Sequence, residues 1–319
     1  MASLTRSETA AYLLQHDCYA ILTHRRPDGD TLGSAAFLCL GLRQLGKTAW
    51  IIENPEITEK YQHLCKGLTK PAYEEGDTLI SVDVAAPEML PECFAKYLPF
   101  IDLRIDHHRS ATSFTPYELV EPTAAACGEI LHDVIQQLRV QMDVPMANAL
   151  YTAVSTDTGC FRYANTTHHT LNVAAACAAV SPDLFEINQA LFETNTLGRL
   201  RLQGWMVENA RFLANGRIAV CAIPRKVEQE LGLTEDDLEN VSGFPRSIAG
   251  VQIAATLREG DDGIIKVSVR ALPKYDAASV CSKFGGGGHR GAAGASMRMP
   301  LEEAAQAIID AMPEMDNAL

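Results

Sequence analysis

No run of this 319-residue sequence approaches the ~18–20 consecutive apolar residues of a membrane-crossing helix. The opening stretch MASLTRSETA lacks the basic-then-apolar layout of a secretory leader, so a cytoplasmic protein without membrane contact is expected. Cysteine is present nine times, at 18, 39, 65, 93, 127, 160, 177, 221 and 281, but no CxxC pair or zinc-like spacing occurs among them. Reduced, mostly buried thiols follow, and disulfides are not expected. Positive charge is also short: 27 Lys and Arg against 40 Asp and Glu leave a formal net charge of −13. Tight binding of a long polyanion relies on neutralising many phosphates, so a long duplex is excluded and any nucleic-acid ligand should be short. There is no internal repeat, and the only low-complexity tract is GGGG at 285–288.

What is present suits two domains with ordinary cores, given the length and an apolar content of 47%. AILT (20–23), AWIIE (49–53), TLISVDV (78–84) and FIDLRID (100–106) read as strands, alternating with helical patterns at 31–46 and 123–138. This alternation predicts an α/β domain with a parallel sheet and flanking helices. A mostly helical section follows through 148–180, then a polar helical connector in 195–212. RIAVCAIP, VQIAATLRE and GIIKVSVRAL read as strands of a smaller α+β domain, followed by a helix at 276–284 and a closing helix near 301–312. The expected boundaries are 1–194, a helical linker 195–215, and 216–319.

Polar residues gather where the strands end, the rim on which open parallel sheets place their ligands. His24, Asp28 and Asp30 follow the first strand, Asp83 ends the third, Asp106-His107-His108 ends the fourth, and Asp157 lies where a helix finishes. Each alone has a plainer reading: Asp28-Gly29-Asp30 as a turn with a helix cap, Asp83 as a cap, His107-His108 as an ordinary pair like His168-His169. Together they would give four carboxylates and two or three imidazoles on one rim. That donor set, free of thiolate, favours Mn²⁺ or Mg²⁺, and its size suits two ions.

HRRPDGDTLGS, SVDVA, IDHHRS and STDTG, with FGGGGHRGAAG near the C-terminus, resemble the ordered motifs of the DHH phosphoesterase family with its DHH-associated C-terminal domain. The phrase TDTGCFRYANTT (156–167) and the overall size resemble its NrnA-type oligoribonuclease branch. The resemblance implies that His24 and Asp28 hold one ion, that Asp30, His107 and Asp157 hold the other, and that Asp83 bridges them. It implies that His108 faces the substrate phosphate, as acid or as contact, and that Asp106 orients an imidazole. It also implies a substrate grip in the second domain, with the active cleft between the two. Gly286, Gly287, Gly288 and His289 would cradle a second phosphate and Arg290 would fork onto it, with Arg270 and Arg109 as further contacts. Arg162 is a candidate for phosphate, and Phe161 or Tyr163 for base stacking, against ordinary packing.

The activity so implied is metal-dependent hydrolysis of dinucleotides and very short RNA to mononucleotides, and of 3′-phosphoadenosine 5′-phosphate to AMP, with two ions, Mn²⁺ foremost. A homodimer is left open. The rival readings are a RecJ-type single-strand exonuclease, which the acidic charge opposes, and a nucleotide sensor with a decayed site, which the full ligand set opposes.

Overall fold

Strands covered on both faces must be apolar on both, and YAIL, AWII and TLISV come close to that requirement. In a computed structural model of the protein, describing residues 2–109, 111–238, 241–260 and 262–315, these runs form the middle of a wholly parallel sheet. Its strands are β1 (Ala2–Ser3), β2 (Tyr19–Leu22), β3 (Ala49–Ile52), β4 (Thr69–Lys70), β5 (Thr78–Val82), β6 (Ile101–Asp106) and β7 (Tyr117–Val120), in the spatial order β1-β7-β6-β5-β2-β3-β4. The chain runs outward from β2 to β3 and returns to β5 on the other side of β2. The carboxyl ends of β2 and β5 therefore flank a topological switch point, with β6 next in line.

The helices of this unit are α1 (Arg6–Gln15), α2 (Gly29–Gln44), α3 (Cys127–Gln137), α4 (Val144–Asp157), α5 (His168–Ala178) and α6 (Leu184–Asn188). Residue alternation divides the core: Tyr19 and Ile21 face the helices, while Ala20 and Leu22 pack with Phe94 and Tyr97 of the 3-10 segment Glu92–Phe100. Helix α2 is buried along most of its length. Its Gly33 lets it lie against α4, since a Cβ there would stand 2.4 Å from the Ala149 carbonyl oxygen. That close approach brings the start of α2 beside the end of α4, where Gly29 meets Thr156.

The chain divides into two compact units, residues 1–194 and 195–319. The second contains α7 (Leu197–Asn209), β8 (Arg211–Leu213), β9 (Ile218–Ile223), α8 (Arg225–Glu230), α9 (Glu235–Leu238), β10 (Ile253–Glu259), β11 (Ile265–Ala271), α10 (Ala277–Ser282), β12 (Gly287–Gly288), β13 (Ala292–Met297) and α11 (Leu301–Ala311). Its sheet runs β12-β13-β11-β10-β9-β8, with β9 and β10 parallel and the other neighbours antiparallel. Helix α7 is not a free connector: Leu202 and Met206 pack with Cys221 and Ile223 inside this unit. Helices α10 and α11 cover the opposite face through Val280, Ala304 and Ile308.

Candidate metal centre

Three neighbouring strands deliver the polar rim. The turn after β2 carries His24 and leads to Asp28, which caps α2 by accepting the Asp30 and Thr31 N–H groups at 3.0 and 3.2 Å. Asp28 thus does what the plain turn-and-cap reading asks while its Oδ1 stands 3.5 Å from His24 Nε2. Asp83 follows β5 in left-handed backbone, φ 59°, a conformation costly for a residue with a Cβ and here fixed by donation of its N–H to the Ile105 carbonyl at 2.9 Å. Its Oδ2 lies 3.5 Å from His24 Nε2 and its Oδ1 3.4 Å from His107 Nε2. Asp30, fully buried, has its carboxylate held by Ser34 Oγ at 3.0 Å and by the Cys127 and Gly128 N–H groups at 2.7 and 3.1 Å, the amino end of α3. Asp157, the last residue of α4, has its Oδ2 3.2 Å from His107 Nε2, with Asp30 Oδ2 at 3.6 Å on the same atom.

Both imidazoles are oriented from behind. A carbonyl can only accept, so His24 Nδ1 donates to Arg25 O at 2.8 Å and His107 Nδ1 to Ala124 O at 3.2 Å. Each Nε2 is thereby turned toward the carboxylates, as metal-ligating histidines are fixed by their other nitrogen. His108 is turned the other way: its Nδ1 donates to Asp106 Oδ1 at 2.8 Å, so that nitrogen is committed although it also lies 3.5 Å from Asp83 Oδ1.

Ligand atoms fall into the groups His24–Asp28–Asp83 and Asp30–His107–Asp157, each within 4.8 Å, and Asp83 also groups with His107 and His108. The fit to cations shows in the electrostatics. Burial pushes the Asp30 carboxyl well above the ordinary range, with the charges of Asp83 and Asp157 adding to it. Asp157 is also raised, by burial against the opposing pull of His107. Burial presses down on His24 and His107, yet the close carboxylates outweigh it and hold both imidazoles above their usual value. For Asp83 burial is outweighed by His107 and His24, and its carboxyl lies below the usual range. Protons are thus retained where positive charge is missing. Asp83 Oδ1 is buried without a hydrogen-bond partner among the described residues. An oxygen-and-imidazole set with such an orphan suits hard or borderline divalent ions.

Residues with no motif of their own support the rim. Asn54, buried beyond β3, donates to His24 O at 2.9 Å and Thr23 Oγ1 at 3.0 Å. Arg104, buried within β6, donates to Ala85 O at 3.0 Å and Thr112 O at 2.8 Å and pairs with Glu118, tying the segment after Asp83 to the segment after His108. The one available signal for Arg104 was a cation inside an apolar strand pattern. Asn165 spans Ala125 O and Asp157 O, both at 3.1 Å.

Arg109 is exposed beside His108, and Arg162 is exposed with its Nε donating to Gly159 O at 2.6 Å. The remaining expected contacts lie on the second unit. Gly287 and Gly288 form the edge strand β12 against β13, and a tight turn follows through His289–Ala292. The N–H groups of Gly285, Gly286 and His289 already donate to the carbonyls of Ser282, Cys281 and Ala292. An anion here would be met mainly by the exposed side chains of His289 and Arg290. Arg270 stands opposite Ala292 in the β11–β13 ladder, at the base of that turn.

A carboxylate–imidazole centre at the carboxyl rim of a parallel sheet, followed by a mixed-sheet unit, is the equipment of a phosphoester hydrolase. Residues 19–154 match the DHH family N-terminal domain and residues 215–315 the DHHA1 domain, and the chain belongs to the DHH family. The bifunctional oligoribonuclease and PAP phosphatase NrnA of Thermus thermophilus is 30% identical over 297 residues, spanning 92% of this chain and 89% of that protein. NrnA of Bacillus subtilis is 25% identical over 299 residues, 92% of this chain and 93% of that one. An exopolyphosphatase-related protein from Bacteroides fragilis shares the fold, with a TM-score of 0.83 at 22% identity over 96% of this chain and 94% of that one. These matches bear out the resemblance read from the motifs.

Proposed function

We propose that this protein is a two-metal hydrolase of dinucleotides and very short oligoribonucleotides, and of 3′-phosphoadenosine 5′-phosphate, acting in the cytoplasm with Mn²⁺. The observation that carries the reading is Asp83, whose two carboxylate oxygens face His24 on one side and His107 on the other. His24 and Asp28 would hold one ion, Asp30, His107 and Asp157 the other, with Asp83 shared. When bound, the ions supply positive charge to the phosphoryl oxygens and lower the pKa of the attacking water. The activities named for the NrnA relatives and their near-full coverage support the substrate class.

His108 does the proton work on this reading. Burial lowers its pKa, but the Asp106 hydrogen bond and the charges of Asp83 and Asp106 together outweigh burial and hold it above the ordinary value, which favours a proton on Nε2. That N–H can donate to a phosphoryl oxygen or to the leaving oxygen. Residues 1–194 would form the catalytic part and 216–319 the part that holds the substrate's far phosphate through His289 and Arg290, with 195–215 a join whose helix α7 packs on the second unit. In the deciding assay, Mn²⁺-loaded protein is offered a labelled dinucleotide, 3′-phosphoadenosine 5′-phosphate, pyrophosphate and a long single strand in parallel. Cleavage of the first two alone is expected, and digestion of the long strand at a matching rate overturns the reading in favour of a processive exonuclease.

A further inference from the structure

The segment that follows Asp157 is built in a way the metal centre does not require. Gly159, Cys160 and Phe161 are consecutively left-handed, with φ of 56°, 57° and 61°. For the two residues with a Cβ this conformation is costly and persists only where its surroundings enforce it. Thr158 does the enforcing: its carbonyl accepts the N–H groups of both Arg162 and Tyr163 at 3.0 Å, and its Oγ1 accepts that of Phe161 at 3.1 Å. The product is a tight loop that lays the Tyr163 ring over Gly159. A Cβ at Gly159 would fall 2.3 Å from the ring, so glycine is needed there both for φ and for the ring's position.

The two aromatic residues of the loop have different fates. Phe161 turns inward and packs against Tyr151, with ring centroids 5.8 Å apart. Tyr163 is 55% exposed. Its ring is supported from below by backbone, and the loop is tied by Asn165 to the carbonyl of Asp157 itself. The strained backbone thus sets a solvent-facing ring on a loop tied to Asp157.

We propose that Tyr163 is a nucleobase platform, on which a base of the substrate stacks while its phosphate is attacked. The inference rests on the functional reading above and deepens it, because it makes the base, and not phosphate alone, part of recognition. Flat π-faces accept any base, so the platform selects nucleotides over pyrophosphate without selecting sequence. Arg162, pinned through its Nε to Gly159 O, presents its guanidinium from the same loop.

The test compares kcat/KM on a 5′-phosphorylated diribonucleotide with kcat/KM on a dimer of equal charge whose sugars carry no bases. Tyr163→Ala is expected to lose about 5- to 100-fold on the first, the range of a lost base–aromatic stack, and no more than about twofold on the second. Tyr163→Phe and Tyr163→Trp should restore the preference, and Tyr163→Leu, apolar but without a π-face, should not. Equal losses on both dimers, or no loss on either, overturn the platform. Should the wild-type protein leave the diribonucleotide intact, the hydrolase reading falls by itself. The platform is then decided by equilibrium binding of AMP to wild-type and Tyr163→Ala protein, where equal affinities overturn it.

Discussion

His108 donates from Nδ1 to Oδ1 of Asp106 across 2.8 Å, and Asp106 is wholly buried with its other carboxylate oxygen unpartnered among the described residues. The bond fixes one tautomer and raises the imidazole's pKa. Asp106→Asn removes the charge that does so, and His108 then loses its proton at lower pH. The alkaline limb of kcat/KM should move down, with a loss of about 10- to 100-fold at pH 8 and a smaller one at pH 6, at unchanged metal content. A limb that stays in place would show that His108 is not the titrating acid.

Asp83→Asn should be the most damaging conservative change on the rim. It weakens the one carboxylate that faces both imidazoles, so a loss of roughly a thousandfold in kcat/KM is expected, with less metal retained after gel filtration. Asp28→Asn leaves one ligand group whole and should cost less. Elemental analysis of the two variants beside their rates checks the order.

Because nearby carboxylates hold His24 and His107 above their usual pKa, cation-free protein carries protons there at neutral pH. Metal must displace them. Titration with Mn²⁺ at pH 7 should release protons, readable as a buffer-dependent binding enthalpy. Apparent affinity then falls with pH, and excess Mn²⁺ shifts the acid limb of activity downward. In cation-free protein these raised groups stabilise the fold below their unfolded pKa, and that contribution fades as pH rises through the folded value. Its melting temperature should therefore drop on the alkaline side more than that of the loaded protein.

Away from the centre, Asp133 joins Arg6, His132 and His169 on the surface of α3. Burial works against its carboxylate, but His132, His169 and Arg6 outweigh burial and depress its pKa. A depressed carboxyl stabilises above its unfolded pKa and loses that contribution as pH falls through the folded value. Asp133→Asn should cost about 1–2 kcal/mol at pH 7 and less near pH 3, as read from urea unfolding at both values.

Arg290→Ala should lower kcat/KM on a 5′-phosphorylated dinucleotide by about ten- to a hundredfold, the worth of one charge-assisted phosphate contact. An aryl phosphodiester without a second phosphate should be barely affected. Equal losses on the two substrates would move Arg290 from phosphate recognition to folding or to chemistry.

The rim was legible because its residues mark themselves: carboxylates and imidazoles recurring at strand ends have few other reasons to coincide. The cap and metal readings of Asp28 are not exclusive: its one carboxylate caps α2 and stands 3.5 Å from His24 Nε2. Apolar continuity announced β2, β3, β5 and β6. It could not announce β1 or β4, which are two residues long, or β7, whose YELV is interrupted by a glutamate. Strand β13 reads AAGASM, with no β-branched or aromatic residue, and is a strand because β11 and β12 pair with it. Asn54, Arg104 and Asn165 act through backbone carbonyls, and nothing in a residue's identity tells which carbonyl it will meet.

The Asp30 carboxylate, held by Ser34 and by the amides of Cys127 and Gly128, has almost no freedom to swing outward. A pocket wall that cannot recede sorts its guests by radius. Calcium prefers ligands at about 2.3–2.6 Å in crowded, pliant shells, while magnesium draws them to about 2.0–2.1 Å. If divalent ions are held here as proposed, a buried carboxylate tethered this firmly would favour the short ligand distances of a magnesium-sized ion over those of calcium.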